Sequence, residues 1–177
     1  MAFLEFNNIR IAGISAGVPK HIVSNLNLEN PDEIFQGYSL EDFVRTTGVK
    51  ERRVSKSLCT SDLCYEAAEQ LISDLQWNKS EIEALIFVSQ TADYILSCTS
   101  CILQKRLGLT KECYASDCSL GCSGWVYGLS QVASLLSAGT IKKALLLCGD
   151  AKPRAKCNMD PLYGSAGTVT ALEYSEG

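Results

Sequence analysis

Apolar and polar positions along this chain change repeatedly between a strand-like and a helix-like spacing. Short apolar or alternating runs predict strands at 9–14, 84–89, 114–119, 144–148 and 168–174. Apolar positions at helical spacing predict helices at 40–47, 61–77, 99–107 and 122–138. The stretch 153–167, rich in Pro, Gly, Asn and Asp, predicts a long loop. This alternating order, without an internal repeat, predicts one layered α/β domain.

Composition is consistent with a single globular domain. The chain has 177 residues, of which 46% are hydrophobic and 20% charged, enough for a substantial core. A formal net charge of -4 argues against a nucleic-acid partner and against an anionic membrane surface. The basic run 50–53 is interpreted as a solvated face.

The start of the sequence does not match the pattern of a secretory signal. No apolar run is long enough to cross a bilayer, and Glu5 stands where a secretory signal would be basic. The nine cysteines form an odd set without secretory context, so reduced and mostly buried thiols are expected rather than a disulfide framework. A cytoplasmic location is therefore expected, with no membrane span.

Cys122 stands where a predicted strand gives way to a helix. Gly121 permits a tight turn, and the thiol that follows is expected to open the helix, whose unpaired N–H groups and dipole stabilise a thiolate. From spacing alone, a nucleophile and an inert buried cysteine both remain open, because no base is visible nearby.

Two other features invite a chemical interpretation. Cys98 and Cys101 form a C-x-x-C pair that could bind a metal or act in redox chemistry, but no second ligand pair stands at zinc spacing, so no metal site is expected. His21, the single histidine, follows Pro19 in an early connection and is interpreted as a surface residue rather than a catalytic base.

Six segments together resemble the β-ketoacyl-acyl-carrier-protein synthase III branch of the thiolase-like condensing enzymes. Residues 117–129, followed by 145–150, are similar to its nucleophile region, and Thr47-Gly48-Val49 with the following basic residues resembles its TGI-x-x-R segment. Residues 90–94 and 101–108 resemble its mid-domain loop and helix. Residues 163–172 resemble its FGDGA turn and closing strand, with Ser165 in place of the acid.

The resemblance implies a fold and a chemistry. The fold would be one half of an αβαβα thiolase-like architecture, a mixed sheet flanked by helices, with 1–177 as the N-terminal half and the C-terminal half absent. Cys122 would take an acyl group from a thioester before decarboxylative Claisen condensation with a malonyl thioester, in fatty-acid or related biosynthesis. The family's decarboxylating His and Asn lie in the other half, so this chain alone is expected to be incompetent for full turnover.

The resemblance also implies substrates and partners. No tightly bound cofactor is expected. The acyl donor is expected to be an acyl thioester of coenzyme A or of acyl carrier protein. Asp42 and Thr46 occupy positions where coenzyme-A-using members place a Trp and an Arg, while Arg45 is one position away. Leu96 matches a substrate-pocket position that crosses a homodimer interface, with a buried structural leucine as the alternative.

Two other functions stay open from the sequence. The chain could be a non-catalytic dimerisation or scaffold half, which the change at Ser165 and the lack of the His and Asn would favour. It could also transfer acyl groups between thioesters or to a small acceptor without condensation, since one fold hosts several reactions.

Overall fold

A computed structural model describes residues 3–28, 39–94, 96–151 and 161–176. Seven strands are present in this part of the chain: β1 (Ile9–Gly17), β2 (Ile22–Ser24), β3 (Glu51–Arg53), β4 (Ala84–Val88), β5 (Tyr114–Cys118), β6 (Lys143–Asp150) and β7 (Ala166–Tyr174). Four α-helices accompany them: α1 (Leu40–Thr47), α2 (Thr60–Asp74), α3 (Thr99–Leu107) and α4 (Gly124–Ser137). Short 3-10 turns cover Asn25–Asn27 and Lys79–Glu81.

The main sheet is mixed. Its five strands run in the order β1-β7-β6-β4-β5, with β4 parallel to both β5 and β6, and β7 antiparallel to β1 and β6. β4 and β6 are apolar over most of their length and buried on both faces, as expected for strands covered by helices on each side. The small strands β2 and β3 pair separately. The prediction of a mixed α/β sheet flanked by helices is confirmed.

Helices cover both faces of the sheet. One face packs against α2 and α3 through a buried cluster that includes Leu71, Leu103 and Leu147, and the other packs against α4 through Ile86, Val132 and Leu146. α2 lies very close to the sheet at Gly167. A Cβ at this position would stand only 2.5 Å from the backbone nitrogen of Cys64 on α2. The glycine therefore sets the distance between helix and sheet.

The predicted elements are present, with bounds that differ at several ends. β2 and β3 were missed, because three-residue strands are too short to show a periodicity. α2 ends at Asp74 rather than at 77, since Leu75 caps it and Gln76 has φ 54. The predicted loop 153–167 lies largely outside the described residues, and its end was wrong, because β7 begins at Ala166.

The described helices include none with the length and apolar character needed to span a bilayer.

Candidate active site

Three parallel strands end at one edge of the sheet, and the candidate site lies there. β4, β5 and β6 are in parallel register, so their carboxyl ends meet at that edge. β5 ends at Cys118 and leads through Leu120 and Gly121 to Cys122. This is the edge at which open α/β sheets commonly bind ligands.

Cys122 lies in a turn ahead of α4, not inside the helix. The prediction that the helix starts at this residue was wrong by two positions: α4 begins at Gly124 after Ser123. The turn closes with a hydrogen bond from the Gly124 N–H to the Gly121 carbonyl at 2.7 Å. The first bond with helical spacing runs from the Tyr127 N–H to the Ser123 carbonyl. The bond before it spans only three residues, so the helix begins after this turn.

α4 is held very close to the sheet just behind the turn. A Cβ at Gly124 would stand 2.7 Å from Val88 Cγ1, and one at Gly128 would stand 2.5 Å from Leu146 Cδ1. Val88 and Leu146 belong to the two central parallel strands and are fully buried. The position of Cys122 is therefore fixed by close packing of the helix that follows it.

The loop after β4 supports the turn from the other side. A Cβ at Gly121 would stand 2.7 Å from the side-chain amide of Gln90, so this glycine leaves room for Gln90. Asp150, at the end of β6, holds the loop: one carboxylate oxygen accepts from the N–H groups of Gln90 and Thr91, both at 2.9 Å. The same oxygen accepts from the hydroxyls of Ser89 and Thr91. Asp150 thus connects the ends of β4 and β6, and it holds the loop that carries Gln90 beside the cysteine turn.

The Cys122 side chain is exposed at the edge of the sheet. Within the described part of the chain, its backbone N–H has no acceptor and its sulfur has no hydrogen-bond partner. An unpaired N–H beside a nucleophile can receive the oxyanion that forms when a thioester carbonyl is attacked. The described residues therefore place an exposed thiol beside an unpaired backbone N–H, without a base in contact with the thiol.

Most of the other described cysteines are less exposed than Cys122. Burial raises the pKa of Cys64 and of Cys148 to about 12, and that of Cys113 to about 11, so these thiols stay protonated at neutral pH. The prediction of mostly buried thiols was wrong for the described residues: Cys98, Cys101 and Cys122 are exposed, and Cys59, Cys118 and Cys148 are half-buried. Cys157 lies outside the described residues.

Asp117 is a structural residue of this region that sequence reasoning missed. Its carboxylate, on β5, accepts the N–H groups of Thr99 at 2.7 Å and Ser100 at 2.8 Å, and so caps α3. The signal was weak, because the cap lies 17 and 18 residues away along the chain. Asp117 links the start of α3 to β5, the strand that leads to the Cys122 turn.

The remaining predicted residues lie on other segments of the chain. Leu96 is 86% exposed, which excludes the alternative of a leucine buried within this chain. Asp42 and Arg45 form an exposed ion pair at 2.8 Å on α1. Hydrogen bonds from Arg45 and Ser39 lower the pKa of Asp42, so it is a carboxylate at neutral pH. His21 is exposed, as its interpretation as a surface residue requires.

Comparisons with known proteins agree with this geometry. A profile of the family described as 3-oxoacyl-[acyl-carrier-protein (ACP)] synthase III matches residues 116–177, which include Cys122. A putative 3-oxoacyl-[acyl-carrier-protein] synthase 3 from Campylobacter jejuni is 30% identical over 97% of this chain and 50% of its own length. A β-ketoacyl-[acyl-carrier-protein] synthase III from Rhodopirellula baltica is 32% identical over 95% of this chain and 48% of its own.

Solved structures show the same relationship. The crystal structure of a 3-oxoacyl-(acyl-carrier protein) synthase from Burkholderia xenovorans superposes with a TM-score of 0.86 at 38% identity, over 97% of this chain and 50% of that one. The fold and the cysteine turn together define a thiolase-like architecture. The chain belongs to the 3-oxoacyl-acyl-carrier-protein synthase III family and corresponds to the N-terminal half of its fold. It spans about half the length of the curated relatives it matches.

Proposed function

We propose that this chain is the nucleophile-bearing half of an acyl-condensing enzyme, and that Cys122 accepts the acyl group. The observation that carries the proposal is the exposed Cys122 in a rigid turn, at the edge where three parallel strands end. The family relationship supports the same class of reaction, a transfer of acyl groups. Fatty-acid biosynthesis or a related pathway is the proposed setting.

The first half-reaction uses groups that this chain supplies. The Cys122 thiolate attacks the carbonyl carbon of an acyl thioester, and the oxygen of the tetrahedral intermediate accepts a hydrogen bond from the Cys122 N–H. The intermediate collapses, breaking the bond to the donor sulfur, which leaves as a thiolate and takes up a proton. The acyl group is then held as a thioester on Cys122.

The second half-reaction needs a carbanion. Loss of carbon dioxide from a malonyl thioester generates it, and its attack on the acyl-Cys122 carbonyl forms the new carbon–carbon bond and releases the cysteine. We propose that a second α/β half supplies the decarboxylating groups, so that residues 1–177 alone acylate without condensing.

An apolar surface supports the docking of that second half. On the side of the sheet that α4 covers, Ile14 is 58% exposed and Val126 is 62% exposed. These side chains share a side because Ile14 pairs with Thr170, whose hydroxyl accepts a hydrogen bond from the Trp125 indole at 3.0 Å. Exposed apolar patches of this kind mark interfaces, and the proposed occupant is the second half of the fold.

We propose an acyl carrier protein as the donor rather than free coenzyme A. The single cation near the coenzyme A positions on α1, Arg45, is paired with Asp42, which leaves little positive charge there for a phosphate. Comparing the acylation rate of Cys122 with acyl-coenzyme A and with acyl carrier protein tests this. Faster acylation by the coenzyme would contradict it.

We also propose a homodimer. β5 is an edge strand, and the nearby loop exposes Tyr94 and Leu96, which are 61% and 86% accessible. An unpaired edge beside exposed apolar side chains favours pairing with a second copy. Leu96→Asp should shift the full-length protein towards monomer in sedimentation velocity, whereas Leu26→Asp, at an exposed position away from β5, should not.

The experiment that tests the function is a product assay on the full-length protein. Acyl carrier protein loaded with an acyl chain is mixed with malonyl carrier protein, and the 3-oxoacyl product is followed by mass spectrometry. Cys122→Ala should abolish product, whereas Cys118→Ala and Cys98→Ala should not. Acyl transfer to another acceptor without carbon dioxide release would instead favour an acyltransferase that does not condense.

A further inference from the structure

Two exposed thiols stand at the start of α3, outside the proposed catalytic turn. Cys98 is the residue before the helix, with φ -58 and ψ 131, and Cys101 lies in the first turn. The N–H groups of Cys101 and Ile102 both donate to the Cys98 carbonyl, at 3.2 and 3.4 Å. The proposed acyl transfer uses neither sulfur.

The backbone brings the two cysteines within reach of each other. A turn closed by a bond from residue i+3 to residue i keeps the two Cα atoms within about 7 Å. A disulfide needs Cα atoms about 4.4–6.8 Å apart. The sulfurs can therefore bond after rotation of the side chains, with little movement of the main chain.

The turn between the two cysteines is held by its backbone N–H groups and not by its side chains. Asp117 accepts the N–H groups of Thr99 and Ser100, whereas the buried hydroxyls of the same two residues have no hydrogen-bond partner within the described chain. Few side-chain bonds therefore oppose a small rotation of this turn. Asp117 keeps the N–H groups in place while the sulfurs approach.

The two thiols are also accessible. Both are exposed, so a disulfide in solution can reach either sulfur. Cys113, which follows the same helix, is buried, and that burial raises its pKa to about 11. An oxidant in solution would therefore meet Cys98 and Cys101 and not Cys113.

We propose that Cys98 and Cys101 form a reversible dithiol–disulfide modification site, oxidised by a low-molecular-weight disulfide of the glutathione type. The Cys98 thiolate attacks one sulfur of that disulfide, which forms a mixed disulfide and releases one glutathione thiolate. The Cys101 thiolate then attacks the Cys98 sulfur and releases the second glutathione. Two electrons pass from the protein thiols to the oxidant, and the two protons pass to the released thiolates.

Oxidation of the two thiols would affect two neighbouring segments, the connection to β5 and the loop that contains Leu96. Thr99 and Ser100 lie between the two bonded cysteines, and Asp117 connects both of them to β5. Cys98 comes two residues after Leu96. A four-residue covalent ring would narrow the conformations of this segment. The inference requires no acyl chemistry, so its test is independent of the proposed function.

The test maps thiols in the purified full-length protein. Folded protein is treated with oxidised glutathione, free thiols are alkylated, and peptides are analysed by mass spectrometry. The expected result is that the peptide containing both Cys98 and Cys101 is lighter by the mass of two hydrogen atoms and is not alkylated. Dithiothreitol should reverse this change. Cys101→Ser should instead retain one glutathione on Cys98, while buried Cys113 stays unmodified in both proteins.

Three results would overturn the inference. The first is that Cys98 and Cys101 are both alkylated after oxidation as fully as before it. The second is that both resist alkylation in the folded protein before oxidation and react only after unfolding in urea. A disulfide that joins either cysteine to a different residue would also overturn it. If Cys101→Ser fails to fold, the map of the wild-type protein alone decides the question.

Discussion

Removing the Asp150 carboxylate should loosen the loop that supports the cysteine turn. Among the described residues, four hydrogen bonds reach this side chain, all at one oxygen, Oδ1, at 2.8–2.9 Å. Three of the donor groups have a second partner. The Thr91 N–H also donates to the Ser89 hydroxyl at 2.9 Å, the Ser89 and Thr91 hydroxyls are 3.5 Å apart, and the Thr91 hydroxyl lies 3.0 Å from the Thr60 hydroxyl. The Gln90 N–H has Asp150 as its one acceptor within the described residues.

These contacts give a magnitude. In Asp150→Ala, the Gln90 N–H is exposed to water, so losing its bond should lower the unfolding free energy by about 1 kcal/mol, and each of the three weakened bonds by about 0.5 kcal/mol more. The sum is about 2.5 kcal/mol, or roughly 5–10 °C in Tm for a protein of this size. Asp150→Asn keeps an oxygen at the same place and loses only the charge, so about 1 kcal/mol is expected.

Urea denaturation followed by circular dichroism measures these differences. Asp74→Ala is the matched control, because that carboxylate accepts one exposed hydrogen bond from Gln70 and its loss should change stability by less than about 0.5 kcal/mol. The acylation rate of Cys122 should fall more in Asp150→Ala than in Asp150→Asn. Equal losses in the two variants, or no loss in either, would refute the reasoning.

Two further predictions concern packing and alkaline pH. Gly167→Ala should lower the unfolding free energy by about 2–3 kcal/mol, because its Cβ would meet backbone atoms of α2. Gly13→Ala should lower it by less, because the new Cβ would meet only the flexible tip of the Leu71 side chain, at 2.9 Å. Equal losses of stability in thermal unfolding would contradict this prediction. The pKa of Cys64 is raised from 9.0 to about 12 in the folded protein, so its contribution to stability is complete below about pH 9 and is lost as pH rises towards 12. Cys64→Ala should therefore flatten the fall in unfolding free energy over that range by up to about 1.4 kcal/mol per pH unit, and an unchanged slope would argue that the thiol is not buried.

The sequence predicted the parts of the fold that depend on periodicity. The buried strand at 84–88 and the helix at 99–107 are continuous apolar or amphipathic segments, and their predicted bounds hold within one residue. The three-residue strands β2 and β3 carry no such pattern and were missed. Their pairing depends on contacts between residues about 30 positions apart, which a local pattern does not contain.

The site was predictable only in part. The glycine before Cys122 indicated the turn, and the family resemblance indicated the nucleophile. The start of α4 was misplaced, because close packing of Gly124 and Gly128 on β4 and β6 decides where the helix can lie. The supporting roles of Asp150 and Asp117 were not predicted, since each depends on donors that are distant in sequence.

The most direct test of the account is to find where an acyl group attaches. The full-length protein is mixed with a radiolabelled acyl thioester in the absence of a malonyl donor, quenched in acid, and digested for peptide mapping by mass spectrometry. The account predicts one acyl group on the peptide that contains Cys122, and none in Cys122→Ala that retains the wild-type circular dichroism spectrum. An acyl group that persists in folded Cys122→Ala, or that maps to Cys98 or Cys118, would contradict it.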